Sequence, residues 1–250
     1  MTLFIFLSLI ALGIGSGFLA GLLGIGVGMI ITPFLSVLLT MQGVPAEYAM
    51  HAAIATSLSI ILFTSKHQLG PIGQHQGAAL GAQIASYLPT FWITLIFIIF
   101  VGFSAVKMFF DLKPKPTNTL PGKPGLFAVG TVIGGLSGIV GAGGGFISVT
   151  FMVRSNVEMH HAVGTSAALG FPIALAGTIG YIYAGWNLTG MPAWTAGYIH
   201  LPSLASVACA TILTAPLGAA AAKRLNTKPL KKLFACLLMV LVFWMGSKIF

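Results

Sequence analysis

Long stretches with almost no charge run through most of this chain. They lie at 3–23, 46–65, 91–106, 124–140, 164–184, 203–222 and 230–247. Each comes near the roughly 20 residues that a helix needs to cross a hydrocarbon core about 30 Å thick. These stretches are continuously apolar, whereas the strands of a membrane barrel alternate apolar and polar residues. The sequence therefore predicts an all-α polytopic membrane protein.

The composition agrees with this fold class. Hydrophobic residues make up 57% of the chain and charged residues only 6%, and the mean hydropathy is +1.00. A soluble domain of this size needs more polar surface than these residues can supply. We therefore expect membrane lipid to surround a multi-pass protein.

The net charge of +9 indicates topology and not nucleic acid. Lys and Arg are concentrated in two connections, Lys107 to Lys123 and Lys223 to Lys232. Basic loops of membrane proteins remain on the cytoplasmic side, so both connections are predicted to face inward. No nucleic-acid partner is expected.

A glycine-dense interruption occurs twice, and each copy is followed by the same polar residues. The first copy comprises Gly24, Gly26 and Gly28, then His51, Thr56 and Ser57. The second comprises Gly141, Gly143, Gly144 and Gly145, then His160, Thr165 and Ser166. In both copies the His lies five positions before the Thr. This pattern predicts a duplicated unit.

The placement of basic loops gives the two copies opposite orientations in the membrane. A connection rich in Pro and Lys ends near Pro121, so we place the repeats at 1–120 and 121–250. The predicted architecture is two inverted repeats, each a glycine-broken re-entrant or hairpin segment plus about three transmembrane helices. The third crossing of the first repeat, between Lys66 and Tyr87, is predicted to be short, broken or partly outside the core, and seven to nine crossings fit the whole chain.

The glycine breaks are candidate anion sites. A helix N-terminus carries unpaired N–H groups and about half a positive charge, and glycine lets a ligand approach the backbone. The candidate substrate-binding residues are Gly24, Gly26, Gly28, Thr56, Ser57, Gly141, Gly143, Gly144, Gly145, Thr165 and Ser166. Close helix packing by the glycines, and hydroxyl bonds to the helix's own carbonyls, are the alternative interpretation.

Two further groups of residues have open roles. The glycines before each break are expected to pack helices together; they are Gly13, Gly15, Gly17, Gly21, Gly130, Gly134, Gly135 and Gly138. His51, His160 and His161 lie at or near helix starts. They are either solvated or capping residues at a membrane face, or part of a proton-linked gate.

Residues for catalysis or metal binding are sparse. The acids are Glu47, Asp111 and Glu158, all near segment ends, so a carboxylate relay within the membrane is not expected. The chain has no P-loop, and Cys209 and Cys236 lack metal or disulfide spacing and are expected in the core. We predict a protein that is not an enzyme and has no cofactor or metal.

Together these segments resemble the TauE/SafE family of sulfite exporter-like permeases, over nearly the whole chain. The residues that carry the resemblance are Gly21 to Gly28 with Ile31-Thr32-Pro33, Ala55 to Leu58, Gly138 to Gly145, His161 to Ser166, and Ala215-Pro216-Leu217-Gly218. The chain departs from the family pattern between Ser65 and Gly81, where relatives have a longer basic loop and a fuller helix. Thr150 also stands where the first repeat has Pro33.

The resemblance implies a multi-pass protein of the cell inner membrane that moves a small anion such as sulfite, a sulfonate or a related organic anion, often outward. Alternating access of a site between the breaks is the favoured mechanism. A channel-like pore for a small neutral or weakly acidic solute is the alternative. A membrane scaffold is a third hypothesis, and the sequence leaves homo-oligomerisation open.

Overall fold

The computed structural model of the protein describes residues 3–23, 28–64, 72–110, 121–222 and 227–249. Helices account for most of these described residues. Their bounds are α1 Leu3–Leu23, α2 Gly28–Thr40, α3 Ala46–Thr64, α4 Ile72–Tyr87, α5 Thr90–Phe109, α6 Lys123–Val140, α7 Gly145–Arg154, α8 Met159–Ala184, α9 Leu201–Ala222 and α10 Thr227–Ile249. Two short strands, β1 Thr195–Ala196 and β2 Ile199–His200, form an antiparallel hairpin before α9.

Each of the seven uncharged windows coincides with a helix, so the prediction of an all-α multi-pass membrane protein is confirmed. Among the described residues, five helices are long and apolar enough to span a membrane. These spans are Leu3–Leu22, Ala46–Thr64, Thr90–Phe109, Leu201–Ala221 and Pro229–Ser247. The apolar parts of α6 and α8 are shorter, as are α2 and α7.

The crossing predicted to be short, between Lys66 and Tyr87, is described from residue 72, where it forms a short helix. α4 has 16 residues and lies against α6 and α8. A Cβ added to Gly81 of α4 would meet backbone atoms of Gly135, and one added to Gly138 of α6 would lie 2.7 Å from the carbonyl oxygen of Ala78. The small residues thus let α4 and α6 pack backbone to backbone.

The same type of packing joins α1 to α9. A Cβ on Gly13 would lie 2.6 Å from that of Ala210, and a Cβ on Gly21 would overlap the carbonyl oxygen of Ala215. On α9, Gly218 leaves room for the carbonyl oxygen of Phe18. The packing role predicted for the glycines before the breaks is therefore confirmed for Gly13, Gly17, Gly21 and Gly138, and the backbone of Gly135 lies close to Gly81. The prediction is wrong for Gly15, where a Cβ would meet nothing within 4 Å.

α3 is the central helix. Every residue from Ala49 to Ile61 is buried, and the helix contacts α2, α5, α8 and α9. Polar residues therefore enter the centre of the protein on α3, between apolar neighbours such as Ile54 and Leu58. The two cysteines lie outside this core: Cys209 and Cys236 are exposed, so the expectation that they are core residues is wrong.

We predict that Gly21→Ala destabilises the protein while Gly15→Ala does not. The added methyl at Gly21 would overlap backbone of α9, and overpacking of this kind costs about 1–3 kcal/mol. At Gly15 the same methyl enters open space, where replacing a helical Gly by Ala stabilises by about 0.5–1 kcal/mol. Thermal unfolding in detergent would compare the apparent Tm of both variants, and equal values would contradict the assigned packing.

Candidate functional site

The second glycine break depends on backbone conformations that only glycine adopts readily. α6 is followed by Gly141, which has a φ of 70° and donates its N–H to the carbonyl oxygen of Ser137. Gly143 has a φ of 63°, and Gly144, the residue before α7, has a φ of 72°. A side chain at any of these positions would be strained. The glycines therefore turn the chain between two helices without a long loop.

The first break is described only at its end. Residues 24–27 lie outside the described residues, so the predictions for Gly24 and Gly26 remain predictions. Gly28 begins α2 and is buried. A Cβ on Gly28 would overlap the carbonyl oxygen of Gly141 and lie 3.0 Å from Cα of Ala142. The structure thus places the start of α2 directly against the second break.

Serine hydroxyls bind the carbonyl groups of the second break. Ser57 of α3 donates to the carbonyl oxygen of Gly141 at 3.1 Å, and Ser166 of α8 donates to that of Gly145 at 2.9 Å. These bonds join residues far apart in sequence, so the hydroxyls are not used within their own helices. The bond from Ser57 satisfies a carbonyl group that lies beyond the last residue of α6 and has no partner within that helix, whereas the bond from Ser166 fixes α8 to the first residue of α7.

The two threonines of the repeated Thr-Ser pair lie in different surroundings. Thr56 is fully buried, and its Oγ1 accepts the backbone N–H of His200 at 3.3 Å. Thr165 is exposed. Both serines of the repeated sequence pair therefore bind the second break, whereas the threonines are not equivalent.

Apolar side chains enclose the break. A Cβ on Gly143 would lie 3.1 Å from Ile61, and a Cβ on Gly144 would lie 2.7 Å from Ile173. Ile54 lies beside Gly141 in the same way. Gly141, Gly143 and Gly144 are all buried, whereas Gly145 is half-buried. A ligand would reach these glycines only after neighbouring side chains or helices moved.

Two hydroxyls near the breaks were missed in the sequence analysis. Thr32 of α2 and Ser148 of α7 are buried, and among the described residues they are the ones whose buried side-chain polar atoms lack a hydrogen-bond partner. Each follows a glycine break by only a few residues in an otherwise apolar helix. That position in each repeat is the signal by which they could have been found.

His51 is not the solvated residue that was one interpretation of the sequence. It is buried, and its Nε2 lies 3.1 Å from the carbonyl oxygens of both Ala85 and Leu88. His51 therefore joins α3 to the end of α4. His161 is exposed and lies 3.9 Å from the carboxylate of Glu158, and the side chain of His160 lies outside the described residues.

The β1–β2 hairpin inserts an aromatic side chain between the two halves of the chain. Tyr198 is buried and stacks on His51, with ring centroids 5.2 Å apart. It also makes edge contacts with Tyr48 and Tyr181, each at 6.0 Å. These contacts join α3 to α8 at the end of the bundle where the hairpin lies.

His200, at the end of this hairpin, caps α9. Its Nδ1 accepts the backbone N–H of Ser203 at 3.3 Å and lies 2.9 Å from the Ser203 hydroxyl. A ring nitrogen can accept this backbone N–H only while it is unprotonated. Burial lowers the pKa of His200 below its usual range, because it disfavours the charged imidazolium.

A cation lies near the start of α7. Lys107, in the last turn of α5, is half-buried, and its Nζ lies 5.4 Å from the ring centre of Phe103 and 5.9 Å from that of Phe146. Phe146 is the second residue of α7. From the sequence Lys107 is expected in a basic connection, whereas the structure places its charge in the last turn of α5, close to the second break.

Comparisons with known proteins agree on the class of protein. Residues 72–245 match the family described as Sulfite exporter TauE/SafE. A probable membrane transporter protein of Haemophilus influenzae is 33% identical over 267 residues, which cover 99% of this chain and 100% of that protein. One of Methanocaldococcus jannaschii is 24% identical over 255 residues, covering 95% of this chain and 94% of its own length. No solved structure matches the chain.

We predict that His200 makes the stability of the protein depend on pH. Because its pKa in the folded protein lies below the ordinary value of about 6.5, the unfolded chain binds the proton more readily. The stabilisation is complete above about pH 6.5 and is lost as the pH falls through the folded-state pKa. His200→Asn keeps an acceptor for Ser203 and should lose less stability on acidification.

The measurement is the apparent Tm of both proteins in detergent between about pH 7.5 and pH 5. A wild-type Tm that falls no further than that of His200→Asn would contradict the assigned role of the neutral imidazole.

Proposed function

The chain belongs to the TauE/SafE family of sulfite exporters, and from this membership we propose that it is a secondary transporter or facilitator that moves a small anion out across the cell inner membrane. The proposed substrate is sulfite, a sulfonate or a related organic anion. The observation that carries the proposal is the contact between Gly28 and Gly141, which joins the helix start after one break to the other break.

The packing of the helices supports two repeats at 1–120 and 121–250. If α6 to α10 correspond in order to α1 to α5, the packing of α1 on α9 and the packing of α6 on α4 are equivalent contacts. The pairs α3 with α8 and α5 with α10 then join equivalent helices. Equivalent contacts of this kind are expected when a two-fold axis relates two repeats, as in many secondary transporters.

The chemistry of the breaks suits a negative charge. No side chain caps the N-terminus of α7 in the described structure. The N–H groups of its first turn and the helix dipole therefore favour an anion there. Ser57 donates to the carbonyl oxygen of Gly141, which lessens the negative charge that this oxygen presents within the break. The site we propose thus consists of main-chain amides, with no Lys or Arg fixed against the substrate.

The burial of the second break supports a carrier that exposes its site alternately to the two sides. The enclosed glycines correspond to an occluded conformation, which rocking of the two repeats would open. A continuously open pore, the alternative mechanism, would need this segment to be accessible. Export needs no coupling ion in this proposal, because an inside-negative potential favours anion exit by about 2.3 kcal/mol per charge for each 100 mV.

We predict that Gly28→Ala lowers anion flux about tenfold or more, because its methyl would separate α2 from the second break. Flux of sulfite would be measured in reconstituted vesicles with the voltage clamped and with trans-substrate added. Gly102→Ala is the matched control, since a Cβ there would approach nothing closer than 3.8 Å. Both variants must remain monodisperse in detergent.

Three outcomes separate the hypotheses. We expect Gly28→Ala to lose flux. We expect Gly102→Ala to retain flux that is stimulated by trans-substrate. Equal flux in both would contradict the site at the breaks. Linear flux without trans-stimulation in the wild-type protein would favour the pore.

We further predict that Lys107 raises the rate at which anions reach the site. Its charge lies beside Phe146 at the start of α7, so Lys107→Gln should lower flux several-fold at low anion concentration and leave the maximal rate unchanged. The difference should shrink at high ionic strength, where charges are screened. Lys232→Gln, at an exposed position of α10, is the control. A loss that does not change with salt would contradict this electrostatic role.

A further inference from the structure

Thr32 and Ser148 differ from the other buried hydroxyls of the described helices. Thr32 is 0% exposed and Ser148 is 1% exposed, and neither Oγ has a hydrogen-bond partner. The ordinary arrangement is seen at Ser104, whose hydroxyl donates to the carbonyl oxygen of Phe100 at 2.8 Å. Burying a hydroxyl without a hydrogen-bond partner is unfavourable, so the presence of two such hydroxyls in one protein needs an explanation.

Both unpaired hydroxyls lie next to the glycine breaks. Thr32 is four residues after Gly28 and so lies on the same face of α2. Its Oγ1 is 3.3 Å from the position that a Cβ of Gly141 would occupy, so it points at the second break. Ser148 lies in the first turn of α7, where its N–H is bonded to the carbonyl oxygen of Gly144 at 2.9 Å. Each hydroxyl thus lies near the start of the helix that follows a glycine break.

We propose that Thr32 and Ser148 donate hydrogen bonds to the transported anion, an inference that rests on the function proposed above. A buried hydroxyl without a partner in the protein is free to donate, and bonds to a charged acceptor are stronger than neutral ones. Two donors on two helices can bind two acceptor oxygens of one anion, as in sulfite, a sulfonate or a carboxylate. We therefore expect such an oxyanion to bind more tightly than a halide, whose single atom would have to accept both bonds.

Other hydroxyls near the breaks already take part in hydrogen bonds within the protein. Ser57 and Ser166 are already engaged with carbonyl groups of the break, so they are not available as donors. Thr56 accepts the backbone N–H of His200 and keeps its own O–H free. Thr32 and Ser148 are, within the described residues, the buried hydroxyls whose oxygen has neither a donor nor an acceptor in the protein, so each can bind a ligand without first losing a bond.

The test compares Thr32→Val and Ser148→Ala, which remove each hydroxyl with little change of shape. The probes are sulfite, methanesulfonate, acetate and chloride, read out as ligand-induced shifts of the apparent Tm in detergent and as flux in vesicles. Because no hydrogen bond is lost, the Tm of each ligand-free variant should equal or exceed that of the wild-type protein. The affinity for sulfite should fall about tenfold or more in each variant, and Thr32→Ser should retain it.

Ser104→Ala is the matched control, because it removes a buried hydroxyl that has a partner. Its ligand-free Tm should fall while its sulfite-induced shift remains. A lower ligand-free Tm in Thr32→Val or Ser148→Ala, or an unchanged affinity for sulfite in both, would overturn the assignment of these hydroxyls.

Failure of the proposed function has a different result. In that case the wild-type protein itself would show no shift and no flux with any of the three oxyanions. If the wild-type protein binds sulfite and both variants bind it equally well, the transporter proposal stands and only the role of Thr32 and Ser148 is contradicted. Equal binding of chloride and sulfite would overturn the selection of oxyanions.

Discussion

The structure depends on how an interrupted helix satisfies its backbone inside a membrane. Lipid offers no hydrogen-bond partner, so every carbonyl and N–H group that leaves the helical pattern must find one in the protein. The carbonyl group of Gly141 is satisfied by Ser57 of α3, and Ser166 of α8 adds a hydrogen bond to the carbonyl group of Gly145. The break is therefore held by helices from both halves of the chain, and one of them, α3, is buried over most of its length.

Glycine acts in two distinct ways around this centre. At Gly141, Gly143 and Gly144 it permits a positive φ, and the turn between α6 and α7 follows from that freedom. At Gly13, Gly21 and Gly138 it has ordinary helical conformation and only provides space for a neighbouring backbone. The close contacts of α1 with α9 and of α4 with α6 position the outer helices. The turn between α6 and α7 positions the proposed site. The hairpin residue Tyr198, stacked on His51, joins the two halves at one end of the bundle.

Local pattern predicted the helices, whereas the partners of polar residues required the tertiary structure. The apolar windows agree with the helix bounds because length and hydropathy decide whether a segment can cross a membrane. The glycine breaks were recognisable because each interrupts such a window. Nothing local showed that Ser57 binds Gly141, that His51 is buried against the end of α4, or that Thr56 and Thr165 differ, since each depends on contacts between distant segments. Cys209 was assigned to the core from its apolar neighbours, but a membrane helix is equally apolar on the side that faces away from the core.

The bond from Ser57 to Gly141 also bears on how the protein is made. Its two residues are 84 positions apart, and Thr56 binds a residue 144 positions later in the chain. When a ribosome has delivered α3 to the bilayer, the groups that these side chains will bind have not yet been synthesised. During synthesis α3 therefore carries Thr56 and Ser57 without these partners until the segments that contain Gly141 and His200 have been made. A product truncated before α6 would lack the partners of both hydroxyls.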